Sequence, residues 1–235
     1  SRLVGPYLTR FGNEEQCMRF LPRCVKGECI LAIAMTEPDA GSDLAGMRTH
    51  AEEHGDHWLL NGAKTYISNG INADLVIVAA KTDPQNNPHH MTLFLVERGM
   101  AGFERGRNLV KMGQKAQDTA ELFFNNVKVP KANVLGMPGE GFKYLMKGLA
   151  EERLIGACGA LSSAQLSYDL AAAYAHERKA FGKTLAGFQN TQFKLAELRT
   201  ELDVAQCFID QCVRAINAGA LTAVDAAKAK LIASE

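Results

Sequence analysis

A dense group of polar side chains follows the apolar run Cys29–Met35. The segment MTEPDAGSD carries side-chain oxygens on five of its residues, namely Thr36, Glu37, Asp39, Ser42 and Asp43. An ordinary turn needs a Gly or Pro and an Asp, so this density indicates a strand end that binds a polar ligand. The alternative is an ordinary polar loop, which local composition alone favours.

A second candidate for ligand contact lies in the segment TYISNG. Tyr66 and Ser68 alternate with Ile67 in a predicted strand, so both side chains are expected on the same side of the sheet. An aromatic ring and a hydroxyl would then be neighbours. The glycine-rich residues 135–141, LGMPGEG, lack the spacing of the common phosphate-binding loops, and we interpret them as a joint between two domains.

The histidines and cysteines do not indicate a metal site. His89–His90 follows Pro88 and precedes a new apolar run, with no Cys or third His nearby, so a solvated loop is favoured. The six cysteines are scattered without a C-x-x-C pair, and the sequence contains no N-x-S/T glycosylation site. Both features are typical of a reducing compartment.

Composition argues against two classes of partner. The 235 residues are 47% hydrophobic, enough for a buried core, and 26 Lys and Arg balance 26 Asp and Glu. Neither a basic run nor a net positive charge points to nucleic acid. No apolar segment approaches the roughly 20 residues of a membrane helix, so no membrane span is predicted.

Two regions with different hydrophobic periods must position these residues in an α+β protein. Residues 28–134 contain short β-branched and aromatic segments between Gly, Asn and Pro, which predict a central antiparallel β-barrel or sandwich domain. Residues 135–235 have helical spacing, with breaks at Phe181–Lys183 and Asn217–Gly219, and predict an antiparallel helical bundle. Residues 1–27 include a helix-like segment, EEQCMRFLP, which must pack on another part of the protein.

Four segments occur in order along the chain: AMTEPDAGSD, GAKTYISNG, MGQKAQDTAELFF and ERKAFGKTLAGFQNTQFKLAE. Together they resemble the flavin-dependent acyl-CoA dehydrogenase family, most closely its long-chain branch, over almost the whole chain. The resemblance implies that FAD lies between the β-domain and a four-helix bundle in a homotetramer or homodimer. It also implies that residues 1–27 are a remnant of an N-terminal helical domain and that the bundle is truncated.

The resemblance assigns both polar segments to the flavin. Ile33, Met35 and Thr36 correspond to residues that meet the polar edge of the isoalloxazine ring. Tyr66 and Ser68 correspond to the family's flavin-facing pair, which is usually Trp and Thr. The aromatic ring would lie against the flavin and the hydroxyl near its N5 atom.

Further residues are implied to contact phosphates and substrate. Ser42 is expected to face phosphate or pantetheine oxygens, with a turn cap as the alternative. Arg178, Phe181 and Gln189 match positions that reach the FAD of a neighbouring subunit, where the planar fork of arginine suits a pyrophosphate. The alternative for Arg178 is an ion pair at a helix end.

The family's catalytic base removes the α-proton beside the thioester while a hydride moves from the β-carbon to flavin N5. In the long-chain and isovaleryl branches this base stands immediately before Arg in an E-R-L run. The matching residues are Glu152, as the base, and Arg153, which would support the substrate or orient the base. The alternative for Arg153 is pairing with a Glu on the helix surface. Glu152 shares an apolar stripe with Leu145 and Leu149, so a raised pKa is expected; a surface or structural role is the alternative.

The resemblance thus implies an enzyme of fatty-acid β-oxidation. It would convert acyl-CoA into trans-2-enoyl-CoA and pass electrons to an electron-transfer flavoprotein. The alternatives are an acyl-CoA oxidase or monooxygenase-like relative that uses oxygen, and a folded but catalytically silent fragment. Because no transit peptide is visible, a bacterial cytoplasmic location is expected, with the mitochondrial matrix as the alternative.

Overall fold

The computed structural model describes residues 3–83, 87 and 89–235. Residues 1 and 2, at the start of the predicted 1–27 segment, and Pro88, beside the predicted histidine loop, lie outside the described residues. The chain divides into two compact units, one up to Met146 and one from Lys147 to Glu235. The domain limits at 27/28 and 134/135 stay predictions.

Two helices open the first unit, α1 (Gly5–Phe11) and α2 (Glu14–Val25). The side chain of Asn13 accepts the N–H of Gln16, and the side chain of Gln16 accepts the N–H of Asn13. This reciprocal cap fixes the start of α2. Phe20 on α2 is buried in a core that it shares with strand residues, so the helix-like opening segment packs on the β-domain.

The first unit is built on one eight-stranded sheet. Within the described residues its strands are β1 (Leu31–Ala34), β2 (His50–His54), β3 (His57–Ser68), β4 (Leu75–Lys81), β5 (Met91–Glu97), β6 (Phe103–Asn108), β7 (Thr119–Pro130) and β8 (Val134–Leu135). Their order is β6-β7-β3-β2-β4-β5-β8, and β1 pairs with β4. Two single-turn 3₁₀ helices lie in its connections, at Leu44–Gly46 and Lys131–Asn133.

The α+β fold class is confirmed, but the sheet is open instead of closed as a barrel. It is also mixed instead of antiparallel, because β1 and the start of β2 run parallel to β4. The long connection from β1 to β4 allows this arrangement.

The sheet separates two hydrophobic cores. Successive residues of β4, such as Val76 and Ile77, enter two different cores, as the period of a strand buried on both faces requires. The ring of Trp58 on β3 contacts that of Phe94 on β5, so the open sheet bends over one of these cores.

The second unit is helical. Helix α3 (Gly141–Glu177) begins in the first unit and is followed by β9 (Lys179–Ala180), β10 (Lys183–Thr184), a 3₁₀ turn (Leu185–Gly187), α4 (Gln189–Asn217) and α5 (Ala223–Ser234). Leu154 and Leu161 of α3 pack with Ile209 of α4 and Ala229 of α5. The predicted break at Phe181–Lys183 lies in a small β-hairpin, because β9 and β10 pair on either side of its turn. None of the described helices is long and apolar enough to cross a membrane.

Candidate functional site

The strand end after β1 and the last residues of β3 lie side by side. The N–H of Thr65 donates to the carbonyl of Thr36 at 2.9 Å, and Nδ2 of Asn69 donates to the carbonyl of Leu31 at 2.9 Å. These two bonds join segments that are far apart in sequence. The structure thereby brings the predicted residues Thr36 and Tyr66 onto neighbouring stretches of backbone.

Tyr66 lies at an irregularity in β3. The pairing of β3 with β7 shifts register between Lys64 and Ile67, and Tyr66 has a φ of 59°. A left-handed conformation costs a residue other than glycine about 1–3 kcal/mol and is common at functional sites. The side chain of Tyr66 is 69% exposed, and Ser68, beyond the buried Ile67, is exposed as well. The ring and the hydroxyl are both accessible to a ligand.

A buried ion pair, which sequence reasoning missed, lies beneath this strand end. Nζ of Lys64 is 2.8 Å from Oε1 of Glu37 and donates to the carbonyl of Met35 at 3.0 Å. The Glu37 carboxylate also accepts the N–H groups of Arg48 at 2.6 Å and Thr49 at 3.0 Å. The side chains of Lys64 and Glu37 are 0% and 5% exposed. Glu37, one of the five polar residues of MTEPDAGSD, therefore serves the fold and not a ligand.

Burial and pairing shift both pKa values of this ion pair. Burial lowers the pKa of Lys64 to about 8, although the charge of Glu37 opposes this shift. Burial raises the pKa of Glu37. The charge of Lys64 and the N–H of Arg48 lower that pKa by more than burial raises it, so it lies below its usual value. Both groups are therefore charged at neutral pH. A buried lysine needs a partner, but a lysine within a strand does not by itself indicate burial, so the sequence identifies neither the pair nor its acid.

The other predicted residues of the first unit differ in exposure. Ile33, Met35 and Thr36 are half-buried, so each retains some accessible surface at the end of β1. Ser42 is exposed in the loop between the Glu37–Ala40 bridge and the 3₁₀ helix Leu44–Gly46. These positions allow contact with a ligand at the strand end, and the roles of the residues stay predictions.

Glu152 lies on the side of α3 opposite to the buried face of the second unit. That buried face includes Leu154 and Leu161, whereas Glu152 shares its side with Gly156 and Gly159 at helical spacing. Glu152 is half-buried and both glycines are exposed. A Cβ added at either glycine would meet no neighbouring atom within 4 Å. This side of the helix therefore has open space at both glycines. Its neighbour Arg153 is exposed.

Three predicted residues of the second unit surround the β9–β10 hairpin. Phe181 and Gly182 form its two-residue turn, with φ values of 51° and 81°, as hairpin turns with two left-handed residues require. Phe181 is 95% exposed. Arg178 precedes β9 and its carbonyl accepts the N–H of Leu185, while Gln189 begins α4. Both side chains are exposed, so all three residues are available to a ligand or a partner subunit.

Two domain models of one family cover most of the chain. The acyl-CoA dehydrogenase middle domain matches residues 32–127, and the acyl-CoA dehydrogenase C-terminal domain matches residues 139–235. The chain belongs to the acyl-CoA dehydrogenase family. The resemblance carried by the four sequence segments is thus confirmed.

Individual acyl-CoA dehydrogenases agree with this assignment. The mitochondrial long-chain specific acyl-CoA dehydrogenase of Rattus norvegicus is 48% identical over 237 residues, covering 100% of this chain and 55% of that protein. The crystal structure of an acyl-CoA dehydrogenase from Geobacillus kaustophilus is 48% identical with a TM-score of 0.94, covering 98% of this chain and 62% of the other. A glutaryl-CoA dehydrogenase from Mycobacterium smegmatis in complex with FADH2 is 34% identical with a TM-score of 0.91, covering 98% and 58%. The chain thus spans little more than half the length of the curated relative.

Proposed function

We propose that this chain is part of an FAD-dependent acyl-CoA dehydrogenase that converts acyl-CoA thioesters into trans-2-enoyl-CoA. One observation carries the proposal within this family: Glu152, directly before Arg153, is half-buried on the side of α3 that has open space at Gly156 and Gly159. A carboxylate next to room for a thin chain is the arrangement that α-proton removal needs.

The residues at the ends of β1 and β3 fit a flavin. A flat ring with a polar edge needs an aromatic or apolar surface and nearby hydrogen-bonding groups. Tyr66 supplies an exposed ring, Thr36 and Ser68 supply hydroxyls, and the half-buried Ile33 and Met35 supply apolar surface. The FADH2 complex of the Mycobacterium smegmatis relative supports the same cofactor.

The remaining assigned residues would hold the ends of the cofactor and the substrate. Arg178, with its planar fork, suits the pyrophosphate of an FAD bound by a neighbouring subunit. Phe181 and Gln189 would contact the same FAD. Ser42 would bind phosphate or pantetheine oxygens, and Arg153 would support the substrate or orient Glu152.

The chain's own chemical task is a proton transfer. FAD, when bound, would supply the acceptor for the hydride of the β-carbon. The Glu152 carboxylate accepts the proton from the α-carbon beside the thioester carbonyl, and the electron pair of the broken α-C–H bond becomes part of the new double bond. The half-buried position of Glu152 partly shields its carboxylate from water. A general base must in addition be held close to the proton that it removes.

The substitution Glu152→Gln tests this assignment, because it keeps the side-chain shape and removes the base. Acyl-CoA mixed with the flavin-loaded protein in a stopped-flow instrument should bleach the visible flavin band. Glu152→Gln should slow this bleaching by about 10²–10⁴-fold. Glu151→Gln is the matched control, since it neutralises the adjacent half-buried carboxylate, and should react at the wild-type rate. Unchanged bleaching in Glu152→Gln would place the base elsewhere.

The electron acceptor separates the proposed dehydrogenase from an oxidase or monooxygenase-like relative. We propose an electron-transfer flavoprotein as the acceptor, so turnover should reduce that protein and consume little oxygen. Stoichiometric oxygen consumption would favour the oxidase reading. A folded protein without visible flavin absorption would favour a catalytically silent fragment.

Assembly and location belong to the same proposal. A homotetramer or homodimer is expected because Arg178, Phe181 and Gln189 are assigned to a neighbouring subunit's cofactor, and sedimentation velocity measures this. The location is proposed as the bacterial cytoplasm or the mitochondrial matrix; the Rattus norvegicus relative is named as mitochondrial. Assays with acyl-CoA of graded chain length would define the substrate range.

A further inference from the structure

We propose that the buried pair Lys64–Glu37 is a positioning device that fixes the cofactor-facing strand end Met35–Thr36. This inference rests on the proposed flavin site. Both charged groups are occupied within the protein: Lys64 by Glu37 and the Met35 carbonyl, and Glu37 also by the amides of Arg48 and Thr49. The pair therefore acts through the backbone and does not contact the ligand.

The need for such a device follows from where β1 ends. Its hydrogen-bonded pairing with β4 runs from Leu31↔Leu75 to Ala34↔Val78 and stops there. Met35 and Thr36 come directly after it. Their carbonyls are held by Nζ of Lys64 and by the N–H of Thr65. Two successive residues of β3, Lys64 and Thr65, thus hydrogen-bond the chain directly after its pairing with β4 ends.

The same lysine lies beside the strained residue Tyr66. The register shift in β3 falls between Lys64 and Ile67, so the side chain of Lys64 anchors the inner side of the irregularity that presents Tyr66 outward. One ion pair therefore fixes both backbone segments that carry the predicted flavin contacts. Residues that support the contact residues of a site commonly determine how accurately those contact residues are positioned.

Stability alone does not account for the pair. Replacing a buried ion pair by apolar residues of similar size is often neutral or stabilising, because both charges must be removed from water. The bonds of this pair converge on backbone atoms next to predicted contact residues. A geometric role explains this convergence, whereas a general contribution to the core does not.

The test uses the double variant Lys64→Met/Glu37→Gln, which removes both charges and leaves a neutral acceptor for the amides of Arg48 and Thr49. Its matched control is Lys131→Met/Glu53→Gln, a half-exposed ion pair in the same unit. The first measurement is amide hydrogen exchange without flavin. The Thr65 amide, bonded to Thr36, should exchange on the order of tenfold faster in the double variant. The amides of the β4–β5 ladder should not change, and the control should match wild type.

The second measurement is the FAD dissociation constant, followed by quenching of flavin fluorescence. If the competent conformation is populated about tenfold less, the dissociation constant should rise about tenfold, with little change in the thermal midpoint. If the double variant does not fold, Glu37→Asp replaces it, because it keeps both charges and shortens the reach of the carboxylate toward Nζ of Lys64. The same faster exchange at Thr65 is then expected.

Three results would overturn the inference: unchanged Thr65 exchange, faster exchange with unchanged FAD affinity, or equal effects in the control. A wild-type protein that binds no FAD would instead overturn the proposed function. The exchange measurement would then still decide whether the pair fixes the strand end.

Discussion

Nζ of Lys64 lies 2.8 Å from Oε1 of Glu37, and both side chains are almost entirely removed from water. The pair connects β3 to the residues that follow β1, which are distant in sequence. Removing two ions from water costs several kcal/mol per ion, and the attraction between them roughly offsets this cost. The relationship between the two residues therefore defines geometry more than it adds stability.

Removing one member of this pair is expected to destabilise the protein more than removing both. Lys64→Met leaves the carboxylate of Glu37 buried without its counter-ion and should lower the free energy of unfolding by about 3–5 kcal/mol. Lys64→Met/Glu37→Gln should lose less, because no unpaired charge stays in the core. Urea unfolding followed by circular dichroism measures both. Lys131→Met, at the half-exposed pair with Glu53, should cost only about 0–1 kcal/mol.

This prediction would be contradicted if the losses in unfolding free energy of the two single variants were additive. If the loss in the double variant equalled the sum of the losses in Lys64→Met and Glu37→Gln, the two side chains would not be coupled.

The lowered pKa of Lys64 predicts a characteristic dependence of stability on pH. Below about pH 8 the lysine is protonated in both the folded and the unfolded chain. Between about pH 8 and the ordinary lysine pKa of 10.5, only the unfolded chain keeps the proton, so unfolding takes up a proton. This group therefore makes the free energy of unfolding rise with pH across that window, by about 3 kcal/mol in full.

The measurement is the difference in unfolding free energy between wild type and Lys64→Met/Glu37→Gln, taken from pH 7 to 10.5. Groups common to both proteins cancel in this difference. This difference in unfolding free energy should increase with pH. A flat or falling difference would show that Lys64 does not have a lowered pKa in the folded protein.

The order of the elements could be predicted from sequence, because each period has a local cause. The apolar runs of β4 and β5 are buried on both faces, and the helical spacing after Gly141 gives α3 and α4. The open, mixed sheet could not be predicted, since the pairing Leu31↔Leu75 depends on which distant strand lies beside β1. Local alternation does not identify that partner.

The site shows the same division. Tyr66 and Ser68 are exposed on either side of the buried Ile67, as strand alternation predicts. The positive φ of Tyr66 could not be foreseen, because it accompanies a register shift relative to β7. The Lys64–Glu37 pair was missed because a lysine in a strand resembles a surface residue until its partner is known.

The strained backbone at Tyr66 predicts that replacing this residue by glycine weakens cofactor binding without lowering stability. Tyr66→Gly relieves a φ of 59° that glycine adopts freely, so the free energy of unfolding should be maintained or raised. Loss of the ring should raise the FAD dissociation constant up to about tenfold, since aromatic contacts are worth about 0.5–1.5 kcal/mol beyond their burial. Thermal unfolding and flavin fluorescence measure the two effects.

Gln114→Gly is the matched control for this substitution, because Gln114 has a φ of 53° and lies outside the predicted site. It should stabilise in the same direction and leave FAD affinity unchanged. If Tyr66→Gly bound FAD as wild type does, Tyr66 would have no role in the flavin site.

The hairpin turn at Phe181 predicts a binding defect without a folding defect. Phe181→Asn creates Asn-Gly, the favoured pair for a turn with two left-handed residues, so the unfolding free energy should be maintained or raised. The exposed ring is assigned to a neighbouring subunit's cofactor, so FAD affinity should fall. Phe181→Tyr keeps the ring and should bind as wild type does.

Mixed assemblies would then show which subunit supplies the ring. If each flavin site takes residue 66 from one subunit and residue 181 from its neighbour, refolding Phe181→Asn subunits together with Tyr66→Gly subunits creates sites in which both residues are wild type. High-affinity FAD binding should return at a fraction of sites, although each variant alone binds weakly. Recovery requires contact across subunits, because two defects confined to their own chains would leave every site impaired. Absence of high-affinity sites in the mixture would therefore place Phe181 in the same subunit's site or remove it from cofactor binding.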